Sequence, residues 1–249
     1  MHRFLVPPEY INSDSVMILN DISRQISKIL RMRPGNEIKV FDNSGWEYSV
    51  LLSEVSDIKV IGHISNKTLI SADPSSKVIL YQSLLKTDKF ELILQKCTEL
   101  GVAEFIPLQC ARSIPRTSNQ GLSKNRLSRW KKIVTEATEQ SGRVHVPPIH
   151  DVLEFTDACK TVKAPALILS VSNNNNGLRN AISNHKSSST NQPLNIFVGP
   201  EGGFTEDDIN FARQFGITDI SLGPRVLRAE TAAIATVSAT IYELGELGG

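Results

Sequence analysis

The sequence predicts an α/β protein in which a small β-rich domain precedes a larger domain built on a mainly parallel sheet. Two patterns support this prediction: a hairpin signal within the first 70 residues, and strands that alternate with helices after residue 76. Turn-forming, uncharged polar residues at 71–76 separate the two patterns. We therefore expect residues 1–72 and 73–249 to form two domains, and 40% apolar residues are enough to give each a core.

The first domain contains a predicted hairpin and one predicted helix. Apolar segments at 38–42 and 46–52 flank an Asn-Ser-Gly sequence that favours a turn. Ahead of them, isoleucine and leucine recur at helical spacing between residues 22 and 30, with Asp21 or Ser23 available as the helix cap. We expect a short helix beside a small sheet.

The second domain alternates strands and helices. Strands are predicted at residues 78–84, 102–109, 166–171, 194–198 and 217–222. Helices are predicted from a capping box at Asp88 and Glu91, from a Ser123 cap, and at 178–185, 206–215 and 232–244. This alternation is typical of a mainly parallel sheet, whose ligands bind beyond the carboxyl ends of the strands.

The net charge of +1 hides a segregation of charge along the chain. Residues 111–143 carry eight basic and two acidic side chains, whereas residues 201–249 carry eight acidic side chains and three arginines. A basic stretch of this kind is compatible with a phosphate-binding face, but without a motif a solvated helix face is the favoured interpretation.

Composition also predicts the cellular compartment, the state of the cysteines and whether a metal is bound. No run of 18 apolar residues occurs, and the first residues lack the features of a secretory signal, so we expect a cytoplasmic protein with no membrane partner. Cys97, Cys110 and Cys159 lie far apart and are odd in number, which favours ordinary reduced cysteines. The five histidines show no ligand-like spacing, so we expect no metal.

A glycine-rich loop at residues 198–205 is the first candidate site. It contains no dinucleotide or P-loop motif. Thr205 is a predicted helix cap, and the three carboxylates at 206–208 would neutralise the positive end of that helix and repel a phosphate. With Glu201 adding negative charge, the loop suits a neutral or cationic ligand; the alternative is a tight strand-to-helix turn with an exposed glutamate.

A second loop, residues 222–231, places Arg225, Arg228 and Glu230 between a strand end and a helix beginning. The helix opens with small residues that would let another backbone approach. The alternative to a functional site is a simple ion pair between Arg228 and Glu230.

Five segments carry a resemblance to a known family. They are His2-Arg3-Phe4; residues 92–101 with Pro107, Arg112 and Ser113; the motif from Glu136 to Arg143; Gly199-Pro200-Glu201-Gly202-Gly203; and the motif from Leu222 to Ala232. In this order they resemble the RsmE family of 16S ribosomal RNA uridine-N3 methyltransferases. The last two segments are specific when they occur together. Ala111 departs from the acidic residue common in the family, so only Arg112 is assigned a role there.

The resemblance implies a fold and a set of partners. It implies a PUA-like β-barrel for residues 1–72, followed by a SPOUT-type domain whose C-terminal trefoil knot binds S-adenosyl-L-methionine (SAM). It further implies a homodimer, with each site completed near the partner subunit. The 16S rRNA or the small ribosomal subunit is the expected substrate.

The resemblance also assigns residues to roles. Cofactor binding is expected of Leu169, Gly199, Glu201, Gly202, Leu222, Gly223 and Leu227. Arg228, and after it Arg225, would stabilise the uridine anion, while Glu201, Glu230 or bulk water would act as the base. Contacts to RNA phosphates are expected of Arg3, Arg112, Arg116, Arg126 and Arg143.

Two rival functions remain open from the sequence. One is a SPOUT methyltransferase that acts on another rRNA position or on a ribose 2′-oxygen. The other is a non-catalytic RNA-binding protein that uses the β-rich domain and the basic stretch.

Overall fold

The computed structural model describes residues 1–113, 123–163, 165–171, 176–187 and 192–248. The chain divides into two compact units. Unit 1 comprises Met1–Asp73 and Thr138–Val146, and unit 2 comprises Pro74–Ala137 and Pro147–Gly249. The segment 138–146 was not expected in the first unit, because its polar sequence gives no strand signal that would link it to the N-terminal sheet.

Unit 1 is built on a five-stranded sheet. Its strands are β1 Arg3–Leu5, β2 Ser15–Leu19, β3 Glu37–Phe41, β4 Trp46–Val55 and β5 Lys59–Leu69, in the order β1-β3-β4-β5-β2. Only β1 and β3 run parallel among these pairs; the other neighbours are antiparallel. The predicted hairpin is confirmed as β3 and β4, and the core includes Ile26, Ile38 and Val50.

The helix of unit 1 differs from the expectation. Helix α1, Asn20–Arg24, follows β2 directly, and neither predicted residue caps it. Ser23 is instead buried inside the helix, where its hydroxyl donates to the carbonyl oxygen of Asn20 at 2.7 Å. The chain continues as a π-helical segment, Gln25–Ile29. Because a π-turn changes the angular spacing of side chains, Ile29 is 74% exposed rather than buried.

Unit 2 contains a six-stranded sheet in which every neighbouring pair is parallel. Its strands are β6 Val78–Ser83, β7 Glu104–Gln109, β8 Leu153–Glu154, β9 Ala166–Leu169, β10 Leu194–Val198 and β11 Thr218–Ile220. Their order is β11-β9-β10-β6-β7-β8. The mainly parallel sheet is therefore confirmed.

Six further helices are described after β6. They are α2 Thr87–Glu99, α3 Lys124–Ser141, α4 Phe155–Thr161, α5 Leu178–Ser187, α6 Glu206–Gln214 and α7 Ala229–Leu244. The Ser123 cap is confirmed, since its hydroxyl accepts from the Arg126 amide at 3.3 Å. The predicted capping box of α2 is wrong: Lys86 precedes the helix without a side-chain cap, and Glu91 instead accepts from Arg129 at 2.6 Å.

Cys97, Cys110 and Cys159 are free cysteines, and all three are buried. Burial raises the pKa of the thiols of Cys110 and Cys159 to about 12, so both are protonated near neutral pH. Among the described residues, no group of three or more His, Cys, Asp or Glu side chains could hold a metal ion. In the same part of the chain, every helix is too short or too polar to cross a membrane.

Candidate functional site

A cleft lies beyond the carboxyl ends of β9, β10 and β11, where the two candidate loops meet. Strand β9 pairs with both β10 and β11, so the loops that follow these strands converge. The cleft, counted with its open mouth, encloses about 790 Å³. All seven residues predicted to bind the cofactor line it: Leu169, Gly199, Glu201, Gly202, Leu222, Gly223 and Leu227.

The glycine-rich loop needs glycine at specific points. A Cβ on Gly199 would lie 3.1 Å from the backbone nitrogen of Phe204 and 3.2 Å from its ring. Gly203 has a φ of +67°, and its amide donates to the carbonyl of Pro200 at 2.8 Å. The loop therefore needs glycine at 199 for the close approach of Phe204 and at 203 for the positive φ of a tight turn.

The helix that follows this loop is capped by its own side chains. The Thr205 hydroxyl accepts from the Asp208 amide at 3.0 Å, and the Asp208 carboxylate accepts from the Thr205 amide at 2.9 Å. This capping box confirms Thr205 as the cap. The N-terminus of α6 is already occupied by carboxylates, which disfavours a phosphate there and favours a neutral or cationic ligand.

The arginine-bearing loop forms the opposite wall. Gly223 has a φ of +101°, and Arg225 lines the cleft with an exposed side chain. Arg228 is also exposed and immediately precedes α7, next to Ala229, which lines the cleft. Within the described residues, Arg228 forms no side-chain hydrogen bond or ion pair, so the alternative pairing with Glu230 does not occur.

Glu230 instead lies near Lys89, a residue that the sequence analysis missed. The Lys89 ammonium lies 3.5 Å from Glu201 Oε1 and 3.6 Å from Glu230 Oε2. Lys89 occupies the first turn of α2, just after β6, and β6 is the neighbour of β10. Only the strand order brings this lysine to the glycine-rich loop, so the sequence offered no local signal for it.

Two arginines expected to bind RNA have little-exposed side chains in unit 1. The Arg3 guanidinium bonds Glu47 at 2.7 Å and the carbonyl oxygens of Thr138, Glu139, Gly142 and Arg143 at the end of α3. The Arg143 side chain is 5% exposed and bonds Asp73 at 2.6 Å. Both guanidinium groups are enclosed and paired with carboxylates, a setting that disfavours the phosphate contacts expected of them, and those contacts stay a prediction.

The other three RNA candidates differ in their settings. Arg112 is exposed, and its Nη1 donates to the carbonyl of Gly202 at 2.8 Å, which places it beside the cleft. Arg126 is partly buried with its guanidinium 4.9 Å from the Trp130 ring centre, and burial lowers its pKa. Arg116 lies outside the described residues.

Comparisons with known proteins agree with the fold. Residues 72–241 match the family model for the RNA methyltransferase domain. In a crystal structure, a ribosomal RNA small subunit methyltransferase E from Neisseria gonorrhoeae is bound to S-adenosyl methionine. It is 29% identical, has a TM-score of 0.84 and aligns over 97% of both chains. A putative methyltransferase from Legionella pneumophila, in complex with SAM, is 26% identical, with a TM-score of 0.84 over 96% of both chains.

Curated relatives show which family of RNA methyltransferases the chain belongs to. The ribosomal RNA small subunit methyltransferase E of Bacillus subtilis is 36% identical over 228 residues, which cover 90% of this chain and 88% of the relative. The enzyme of the same name from Synechocystis is 31% identical over 96% of this chain and 78% of the relative. The chain belongs to the ribosomal RNA small subunit methyltransferase E family, which confirms the resemblance seen in the sequence motifs.

Proposed function

We propose that this protein transfers the methyl group of SAM to N3 of a uridine in the 16S rRNA of the small ribosomal subunit. One observation carries the proposal: the glycine-rich and arginine-bearing loops enclose a single cleft that all seven predicted cofactor residues line. The family membership supports the reaction class, and the SAM-bound relatives support the cofactor.

The residues of the cleft fit SAM. Leu169, Leu222 and Leu227 give it apolar walls, and Glu201 is the ionisable side chain of the glycine-rich loop that faces it. The neighbouring helix end is capped by its own carboxylate. A sulfonium cation without phosphate groups matches this combination. When bound, SAM supplies an electrophilic methyl group.

The arginine-bearing loop supplies the positive charge that the acceptor needs. Uridine N3 carries a proton at neutral pH, and its anion places charge on the two carbonyl oxygens of the base. Arg228 and Arg225 stabilise that anion by donating to these oxygens, and one preorganised donor is worth about 2.7 to 4 kcal/mol of barrier. Glu201, Glu230 or solvent water accepts the proton.

The finer architecture belongs to the same proposal. We assign residues 1–72 to a PUA-like RNA-binding β-barrel and residues 73–249 to a SPOUT domain with a C-terminal trefoil knot. The protein acts as a cytoplasmic homodimer, and the target uridine is unpaired or flipped out so that its Watson–Crick edge reaches the cleft. Arg112, Arg116 and Arg126 contact RNA phosphates. The separate sheets of unit 1 and unit 2 support an assignment to two domains.

Methyl transfer to ribosomal substrate tests the function directly. Purified protein is incubated with SAM and small ribosomal subunits from a strain that lacks this gene, and the 16S rRNA is digested to nucleosides for mass spectrometry. We expect 3-methyluridine. A 2′-O-methylated nucleoside, or methylation at another base, would instead support the rival methyltransferase activity. RNA binding without any methyl incorporation would identify a non-catalytic RNA-binding protein.

A further inference from the structure

Three charged side chains from separate parts of unit 2 meet at the wall of the cleft. Lys89 comes from the first turn of α2, Glu201 from the glycine-rich loop and Glu230 from the first turn of α7. Their side chains are 26%, 22% and 14% exposed, so the group is only partly open to solvent. Glu201 lines the cleft itself.

The lysine is placed between the two carboxylates rather than against one of them. The distances from Lys89 Nζ to Glu201 Oε1 and Glu230 Oε2 are nearly equal, at 3.5 Å and 3.6 Å. Both are longer than the donor–acceptor distance of a strong hydrogen bond. The Glu230 Oε2 atom is buried and accepts no hydrogen bond from any described residue. Lys89 is thus the shared counter-ion of both carboxylates in the described part of the chain.

We infer that Lys89 is a positioning residue for methyl transfer, because its ammonium joins the two loops through Glu201 and Glu230 and sets the charge of the cleft wall. Two carboxylates and one ammonium leave one net negative charge. The inference rests on the proposed function, since it concerns a cationic methyl donor in this cleft.

The net charge of the cleft wall affects the rate because the methyl donor loses its positive charge during the reaction. The donor is a cation before transfer, and its positive charge is being lost in the transition state. A wall with two negative charges would therefore stabilise the bound donor more than the transition state and raise the barrier. It would also repel the uridine anion. One negative charge is a compromise between binding the donor and releasing its methyl group.

Substitutions that change this charge in opposite directions test the inference. Lys89→Met gives the cleft wall a net charge of two negative charges, and Glu230→Gln gives it a net charge of zero. The double variant Lys89→Met/Glu230→Gln has one net negative charge, as the wild type does. Lys89→Arg keeps the charge of the wild type. Lys96→Met is the matched control, because Lys96 lies on the same helix and pairs with Glu99 at 2.9 Å, away from the cleft.

Two binding constants and one rate are measured, all at the same pH. Calorimetry gives the affinity for SAM and for S-adenosylhomocysteine, its neutral product, and kcat is measured on small ribosomal subunits. For Lys89→Met we expect the preference for SAM over S-adenosylhomocysteine to rise about fivefold while kcat falls, the scale of a partly exposed ion pair. Glu230→Gln should lower that preference.

The double variant Lys89→Met/Glu230→Gln should restore the preference for SAM over S-adenosylhomocysteine towards wild type, and Lys89→Arg should retain both this preference and kcat. A merely structural lysine gives a different result: Lys89→Met then weakens both ligands equally, and the double variant recovers nothing. That result, or an unchanged preference in Lys89→Met and Glu230→Gln alike, overturns the inference. Wild-type protein that binds no SAM would overturn the proposed function instead.

Discussion

At the scale of single residues, the neighbours of an arginine determine its role in this protein. Arg3 and Arg143 are enclosed by carboxylates and backbone carbonyls, so they stabilise unit 1. Arg225 and Arg228 have the same side chain but stand exposed on a loop at the cleft. The sequence gives their charge but not their burial, which is why all four could be assigned to RNA or substrate from sequence alone.

Replacing Arg228 should remove a charge that is needed only during catalysis. We expect Arg228→Ala to fold and to bind SAM as the wild type does, while methyl transfer falls by at least about a hundredfold, the usual loss for one preorganised donor. Calorimetry and single-turnover methylation separate the two effects. Arg179→Ala is the control, because it removes an exposed arginine of α5 that pairs with Glu243. Normal turnover by Arg228→Ala would exclude a catalytic role.

Glu47 makes the stability of unit 1 depend on pH. Burial raises the pKa of this carboxyl, but hydrogen bonds from Lys39 and Arg3 outweigh burial and hold it below its ordinary value. A lowered folded-state pKa stabilises the protein above the unfolded-state value of about 4.3, and this stabilisation is lost as the pH falls through the lowered value. We expect urea unfolding to show decreasing stability below about pH 5.

Arg3→Met should break the partnership that stabilises Glu47. Removing one member of a buried ion pair leaves the other charge uncompensated, so we expect a loss of about 3–5 kcal/mol in the free energy of unfolding near neutral pH. Urea unfolding followed by tryptophan fluorescence measures it. Unchanged stability together with weaker RNA binding would instead support the RNA role predicted for Arg3.

At the scale of elements, the sequence predicted best those segments whose pattern is local. Strand β10 was predicted with its observed bounds, because five largely apolar residues stand between a proline and a glycine. Strand β5 was missed, because its second half is polar and exposed. The two candidate loops were found through glycine and arginine motifs, whereas the position of Lys89 depends on which strands are neighbours. Strand order is a tertiary property, and no local pattern reports it.

The cap of α6 offers a test at this scale. Thr205→Ala removes the side-chain acceptor for the Asp208 amide, and we expect a loss of about 1 kcal/mol in stability. Thr205→Ser keeps the hydroxyl and should retain most of it. Chemical denaturation measures both variants. Equal stability of the alanine and serine variants would show that the capping box contributes nothing measurable.

At the scale of the whole molecule, a net charge of +1 does not predict an RNA ligand, so local clusters must provide the attraction. Arg112 is exposed beside the cleft and is the described candidate closest to the glycine-rich loop. We expect Arg112→Ala to weaken rRNA binding and to reduce the slope of log K against log salt by about one. Arg179→Ala serves again as the control. An unchanged slope would show that Arg112 contacts no phosphate and only donates its hydrogen bond to the Gly202 carbonyl.

Unit 1 is assembled from two stretches of chain, and this limits how the protein can be dissected. A fragment that ends at residue 73 would lack Thr138–Val146, and with it the carbonyl oxygens around Arg3 and the guanidinium that neutralises Asp73. The Arg3 guanidinium would keep Glu47 but lose its backbone acceptors, and the Asp73 carboxylate would lose its arginine partner. Binding studies on such a truncated fragment would report on a weakened sheet, so the N-terminal unit is best studied within the intact polypeptide.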